Sequence, residues 1–216
     1  MYPQPQPEGI AGHWRLVFDD EFNGRWLNTH VWTRHNGYVN QNNVTDHARN
    51  VSVSDGSAAL TLASRTSGAA IETIDASLRV GDVAEARVEF AGTGGTVYNW
   101  PAFWTAGPHW PASGENDVAE GLNTLTVNYH SLSGTLNEGT VQGTWVGSFH
   151  TYAVRRLAHR SEVFWDGRLV RSYRTDDDGG PQHLIFTVGS GLKLVTGRNS
   201  RLLVDYARIW APAPGR

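Results

Sequence analysis

The feature that most constrains this chain is its punctuation. Short runs of β-branched and aromatic residues alternate with Gly, Asn and Asp clusters, and helix signals are scarce. Val51-Ser52-Val53-Ser54 runs into Asp55-Gly56 before Ala59-Leu60-Thr61-Leu62. Glu162-Val163-Phe164-Trp165 runs into Asp166-Gly167 before Arg168-Leu169-Val170. An Asp-Gly step between two strand-like runs predicts a hairpin, because a type I′ turn needs positive φ at both central residues. Further strands are expected at 14–18, 83–90, 101–105, 115–120, 124–130, 150–154, 183–188 and 201–210. A dozen or so short strands without an internal repeat predict an all-β fold, one domain of two packed antiparallel sheets over residues 13–216. Residues 1–12, with Pro3, Pro5 and Pro7, read as an extended tether.

Composition narrows the function classes. Hydrophobic residues make up 39% of the 216, enough for a real core. The charge sum is 18 − 21 = −3, so no basic excess points to nucleic acid or to an anionic membrane. No apolar run approaches the roughly 18 residues of a spanning helix. The absence of Cys removes disulfide scaffolds, thiolate zinc sites and cysteine nucleophiles together. The nine His show no zinc-protease spacing, and Asp176-Asp177-Asp178-Gly179 reads as a solvated turn. Two biases remain: nine Trp, and a single lysine, Lys193, among the 18 basic residues.

The segment 100–120 concentrates the chemistry. Glu115, Asp117 and Glu120 fall within six residues of a strand-like stretch. Glu115 and Asp117, two apart, share a face of a strand; Glu120, five from Glu115, would point away. One residue absorbed as a β-bulge, most naturally at Val118-Ala119, returns Glu120 to that face. The two glutamates then lie about 13 Å apart at Cα. Reaching toward each other, they leave about 5 Å between carboxyl groups, the spacing of a retaining glycosidase. Crowding three carboxyl groups should raise at least one pKa, leaving one group to donate a proton and another to attack. Trp100 and Trp104, four apart, share a face on which sugar rings could stack, and Trp110 sits in the loop just before Glu115.

Trp-Pro-Ala-Phe-Trp followed by Gly-Glu-x-Asp-x-x-Glu-Gly resembles glycoside hydrolase family 16, in its laminarinase-like branch with a bulged active strand. The stretch from Trp14 to Gly24 is similar to the family's opening strand, and Gly81 to Arg87 to the strand before the site. Phe149 to Val154 with Val163 to Val170 resembles the hairpin after it, and Leu203 to Trp210 the closing strand. The resemblance implies a concanavalin-like β-jelly-roll with a concave substrate cleft, and retaining hydrolysis of internal β-glycosidic bonds. A β-1,3-glucan is the expected substrate, with mixed-linkage glucan or a β-galactan as alternatives. By motif position Glu115 would be the nucleophile, Glu120 the general acid/base, and Asp117 the partner that tunes Glu115.

The resemblance also implies sugar contacts at Asn40 and at His130, the latter beside Glu120 and the leaving group. Arg87 is a candidate for sugar hydroxyls, or else a supporting ion-pair partner. No cofactor is needed for the chemistry. A structural calcium ion would be held by the main-chain oxygens of Glu21 and Gly56 and the carboxylate of Asp205. Three positions depart from the family pattern: Asn42 replaces a glutamate, Tyr38 a tryptophan, and Asn116 an Ile or Leu. Asn116 should point between the sheets, where a buried amide needs partners. The expected partner is a polysaccharide, bound by a monomer, with neither nucleic acid nor membrane. The substrate class places the action outside the cell, although no signal peptide is visible in the sequence. Competing readings are a sugar-binding jelly roll without turnover, a transglycosylase and a structural sandwich.

Overall fold

The computed structural model describes residues 4–40 and 42–214. Two sheets carry nearly everything. The first runs in the order Gly134–Thr140, Thr124–Ser131, Glu115–Leu122, Trp100–Ala106, Gln182–Gly189, Ser67–Leu78, Trp32–Arg34. The second runs Arg168–Arg174, Arg160–Trp165, Phe149–Leu157, Val83–Phe90, Leu202–Pro212, Ser57–Leu60, Val51–Ser54, with Trp14–Asp20 also paired to Leu202–Pro212. Neighbours on both paths are antiparallel, giving the expected β-sandwich. Both Asp-Gly steps form hairpin turns, with positive φ at Asp55 (53°), Gly56 (73°), Asp166 (44°) and Gly167 (68°).

The core lies where the inward faces meet. Ala84, Ala86, Val88 and Phe90 of the second sheet and Phe103, Val118, Val127 and Phe186 of the first belong to one buried cluster. Phe103 stacks on Phe186 with centroids 4.9 Å apart, and Tyr152 meets the edge of Trp165 at 5.1 Å. These offset and edge-on contacts add to area burial.

Three expectations are corrected. The 12-residue strand Ser67–Leu78 was not expected; its Ala, Ser and Gly content hides it, although Ala69 and Ile71 enter the core. Gly134–Thr140 escaped for the opposite reason, being an exposed edge strand with no apolar alternation to read. Residues 1–3 of the expected tether lie outside the described residues, but residues 4–12 are docked rather than free. The Pro5 carbonyl accepts from the Trp210 indole (2.8 Å), and the Glu8 amide donates to Glu85 Oε2 (2.8 Å). Ile10 joins Trp14, Val83, Ala153 and Trp210 in a second apolar cluster on the outer side of the second sheet. The prolines keep the segment extended without ladder donors, and the apolar cluster gives it something to lie on.

The turn at 176–179 is likewise more than solvated. The Asp177 side chain is buried and paired with the buried Arg156 at 3.0 Å, while Arg156 also donates to the carbonyls of Leu78 (3.0 Å) and Gly180 (2.8 Å). Arg156→Ala would strand that carboxylate and both carbonyls. A loss of about 3–5 kcal/mol in urea unfolding is expected, and a loss below about 1 kcal/mol would refute this account of the turn.

Candidate active site

The carboxylate strand is built around one irregularity. Along the Trp100–Ala106 strand, Phe103 faces Ala119 and Trp104 faces Asp117; along the Thr124–Ser131 strand, Asn128 faces Asp117 and Thr126 faces Glu120. Val118 is the extra residue in the first ladder, and Val118-Ala119 stand against the single Val127 in the second, so the bulge falls where the spacing predicts. Val118 and Ala119 are both fully buried in the core, so the strand turns two successive side chains inward and then resumes its alternation. Glu115, Asp117 and Glu120 thereby emerge on one face. The Trp165 indole of the opposite sheet donates to the Val118 carbonyl at 2.9 Å and secures the bulge.

Each carboxylate has distinct partners. Glu120 accepts from Trp100 Nε1 at Oε1 (2.6 Å) and from Asn128 Nδ2 at Oε2 (2.5 Å). Asp117 lies 3.2 Å from His130 Nε2, and Glu115 lies 3.7 Å from the same nitrogen. Thr135 holds the other ring nitrogen of His130 at 2.9 Å. Burial, and next the Asp117 charge, push Glu115 up to about 7, against the opposing pull of His130 and Trp110. Burial pushes Asp117 up to about 6, with the hydrogen bond from His130 the largest opposing influence. His130 is raised chiefly by that hydrogen bond.

The structure brings together most of the expected residues. Trp100 and Trp104 alternate with core-facing Phe103 and so share the carboxylate face, both half-buried; Trp110 is exposed beside Glu115. Asn40 reaches the strand next to Trp100: a Cβ at Gly189, the partner of Trp100, would lie 2.9 Å from Asn40 Nδ2. Its Oδ1 is occupied by the amides of Asn42 (3.0 Å) and Val44 (3.1 Å). Asn116 is fully buried and has the partners its amide requires.

Two expectations fail. His130 sits opposite Glu115 and beside Asp117, not beside Glu120, because the bulge shifts the register. Asn128 takes the place next to Glu120, a residue that sequence reasoning missed for want of any local signal. Arg87 belongs to the other sheet, where it alternates with core residues Ala86 and Val88 and therefore points outward. Its guanidinium lies over Phe149 (4.8 Å) and pairs with Asp205 at 2.6 Å, so it does not line the carboxylate face. That pair also bears on the expected metal set of Glu21, Gly56 and Asp205. In the one carboxylate that set relied on, Asp205 Oδ2 is paired with Arg87; the main-chain oxygens of Glu21 and Gly56 are not involved in that pair. Among the described residues, one group of potential metal ligands converges, Glu115, Asp117 and His130, within 4.8 Å of one another.

A buried carboxyl that keeps its proton in the folded chain gives a stability signature. The unfolded chain loses the Glu115 proton near 4.5 and the folded chain near 7, so between these values the folded state holds the extra proton and stability falls as pH rises. Glu115→Gln removes this penalty. The variant is expected to melt above the wild type at pH 8, with the gap shrinking toward pH 5; equal gaps at both pH values would contradict the assignment.

Comparison with known proteins follows the same lines. Residues 73–148, which contain the carboxylate strand, match the family model described as the XgeA-like catalytic GH16 domain. The endo-1,3(4)-β-glucanase xgeA of Emericella nidulans is 42% identical over 57 residues, 26% of this chain and 8% of that relative. The chain thus matches less than a tenth of the length of that curated relative. Over the whole fold, the endo-β-1,3-glucanase of Pyrococcus furiosus superposes with a TM-score of 0.75 at 20% identity, covering 97% of this chain and 100% of that one. SCLam, a non-specific endo-β-1,3(4)-glucanase from family GH16, does so with 0.78 at 23%, covering 97% and 95%. The catalytic-domain match contains the bulged strand, and the sandwich is shared along nearly the whole chain: the protein is similar to glycoside hydrolase family 16 over residues 73–148 and has the fold of these glucanases.

Proposed function

We propose that this chain hydrolyses internal β-glycosidic bonds of a β-1,3-glucan with retention of anomeric configuration. The observation that carries the reading is the placement of Glu115, Asp117 and Glu120 on one face by the Val118 bulge, flanked by Trp100, Trp104 and Trp110. Relatives named as endo-1,3(4)-β-glucanases support the substrate class.

In the first step Glu115 attacks the anomeric carbon as Glu120 gives its proton to the departing oxygen, which leaves a glycosyl ester on Glu115. In the second, Glu120 takes a proton from water, the water oxygen attacks the anomeric carbon, and Glu115 departs as carboxylate. Trp100 and Asn128 fix where the Glu120 carboxyl sits. Asp117 and His130 set the charge around Glu115: a protonated His130 draws it toward the ionised form, and an ionised Asp117 opposes that. The chemistry requires two carboxyl groups, both carried by this chain, and water from solvent. We place its action outside the cell, where a polysaccharide of this class is met.

Because the nucleophile must be ionised, kcat/KM is expected to rise with pH across the region from about 6 to about 7, as the Glu115–Asp117 pair loses its proton. Glu115→Ala should abolish release of reducing sugar from laminarin while retaining sugar binding by calorimetry. A panel of β-glycans scored by product chromatography, with the first-formed anomer read by proton NMR, tests the rest. Equal sugar release by wild type and variant on every glycan defeats the enzyme reading. A first product of α configuration defeats retention, and transfer to added sugar in place of water redirects it to a transglycosylase.

A further inference from the structure

Beneath the carboxylate strand, on the side away from the cleft, lies a polar network with a defined direction. Tyr173 of the opposite sheet donates its hydroxyl to Asn116 Oδ1 (2.9 Å). That acceptor orients the amide, so Asn116 Nδ2 donates to Gln182 Oε1 (2.9 Å). Thr105 donates to the same oxygen (2.7 Å). With Oε1 occupied twice, Gln182 Nε2 faces the other way and donates to the carbonyls of Ser113 (2.8 Å) and Gly114 (3.2 Å), the two residues that launch Glu115. Gln182, Thr105 and Asn116 are fully buried, and Ser113 nearly so.

The loop ahead of Glu115 has few ways to shift. Ser113 Oγ accepts from the His109 amide (3.1 Å), and the Asp178 amide donates to the Ala112 carbonyl (3.0 Å). Gly114 holds φ +70° and lies so close to Asp177 that a Cβ there would come within 2.7 Å of the Asp177 Cβ. The bulge fixes the Glu120 end of the carboxylate strand through Trp165; at the Glu115 end the corresponding side-chain tie is Gln182.

We infer that Gln182, oriented by Asn116 and Thr105, is a positioning residue that sets the place of Glu115 relative to Asp117 and His130. The inference deepens the proposed hydrolysis and rests on it for its kinetic consequence, but the positioning itself can be read without turnover. Both carbonyls it holds belong to the two residues that immediately precede the nucleophile. A side chain free to drift by about 1 Å at that point costs on the order of a hundredfold in rate when geometry is limiting.

The test uses Gln182→Leu, which keeps volume and removes every donor and acceptor, together with Gln182→Glu, which keeps the acceptor for Asn116 and Thr105 but loses the donors to Ser113 and Gly114. Carboxyl carbon-13 NMR of the whole protein gives the titration midpoint of Glu115, and steady-state kinetics on laminarin give kcat, KM and the pH profile. Expected in both variants are a displaced Glu115 midpoint, a kcat lower by about tenfold or more with KM within about twofold, and a moved acid limb of kcat/KM. Tyr173→Phe, two links further from Glu115, should produce the same changes in weaker form. If Gln182→Leu does not fold, Gln182→Glu alone decides the matter. Wild-type midpoint, profile and kcat in a folded Gln182 variant, with only its melting temperature lowered, would overturn the inference and leave the network a purely structural device. If wild type cleaves no glycan, the proposed function fails, while the Glu115 midpoint still decides for or against Gln182.

Discussion

The hydrogen bond from the Trp165 indole to the Val118 carbonyl joins the two halves of this protein's design. A strand with unbroken alternation would send Glu120 into the core. The additional residue at Val118 corrects the phase, and a bulge disturbs ladder hydrogen bonding that then needs satisfying. Here the satisfying donor comes from the opposite sheet, from a fully buried Trp packed edge-on against Tyr152. The sandwich therefore stabilises the irregular strand, and the irregular strand builds the carboxylate face.

Crowding acids on that face works against the fold. Burial and mutual repulsion hold protons on Glu115 and Asp117 that exposed carboxyl groups would release. His130, from the neighbouring strand, relieves part of this by standing within 3.2 Å of Asp117 and 3.7 Å of Glu115. Trp100 and Asn128 occupy both oxygens of Glu120. The two glutamates so acquire different surroundings from one strand: one faces a titratable imidazole, the other fixed N–H donors.

Much of this was legible in the sequence because it follows from local period. The bulge at Val118-Ala119, the common face of Glu115, Asp117 and Glu120, and the inward Asn116 all come from counting along one strand. What the sequence hid depends on pairing between distant segments. His130 could be placed near the carboxylates but not opposite Glu115 rather than Glu120, since register across the bulge is a property of two strands. Arg87 and Asp205 meet only because the strands 83–90 and 202–212 are neighbours. Asn128 and Gln182 sit 8 and 66 residues from their partners Glu120 and Asn116, with no motif to announce them.

The docked segment at residues 4–12 has a bearing on colloidal behaviour. It lies over Trp14, Val83, Ala153 and Trp210, whose apolar surfaces face outward from the second sheet, away from the main core. Uncovered, these side chains would form a contiguous greasy area of the sort through which soluble proteins adhere to one another. The proline-spaced segment serves as a built-in cover for that area. Its removal would expose that area on the face opposite to the one that would meet sugar.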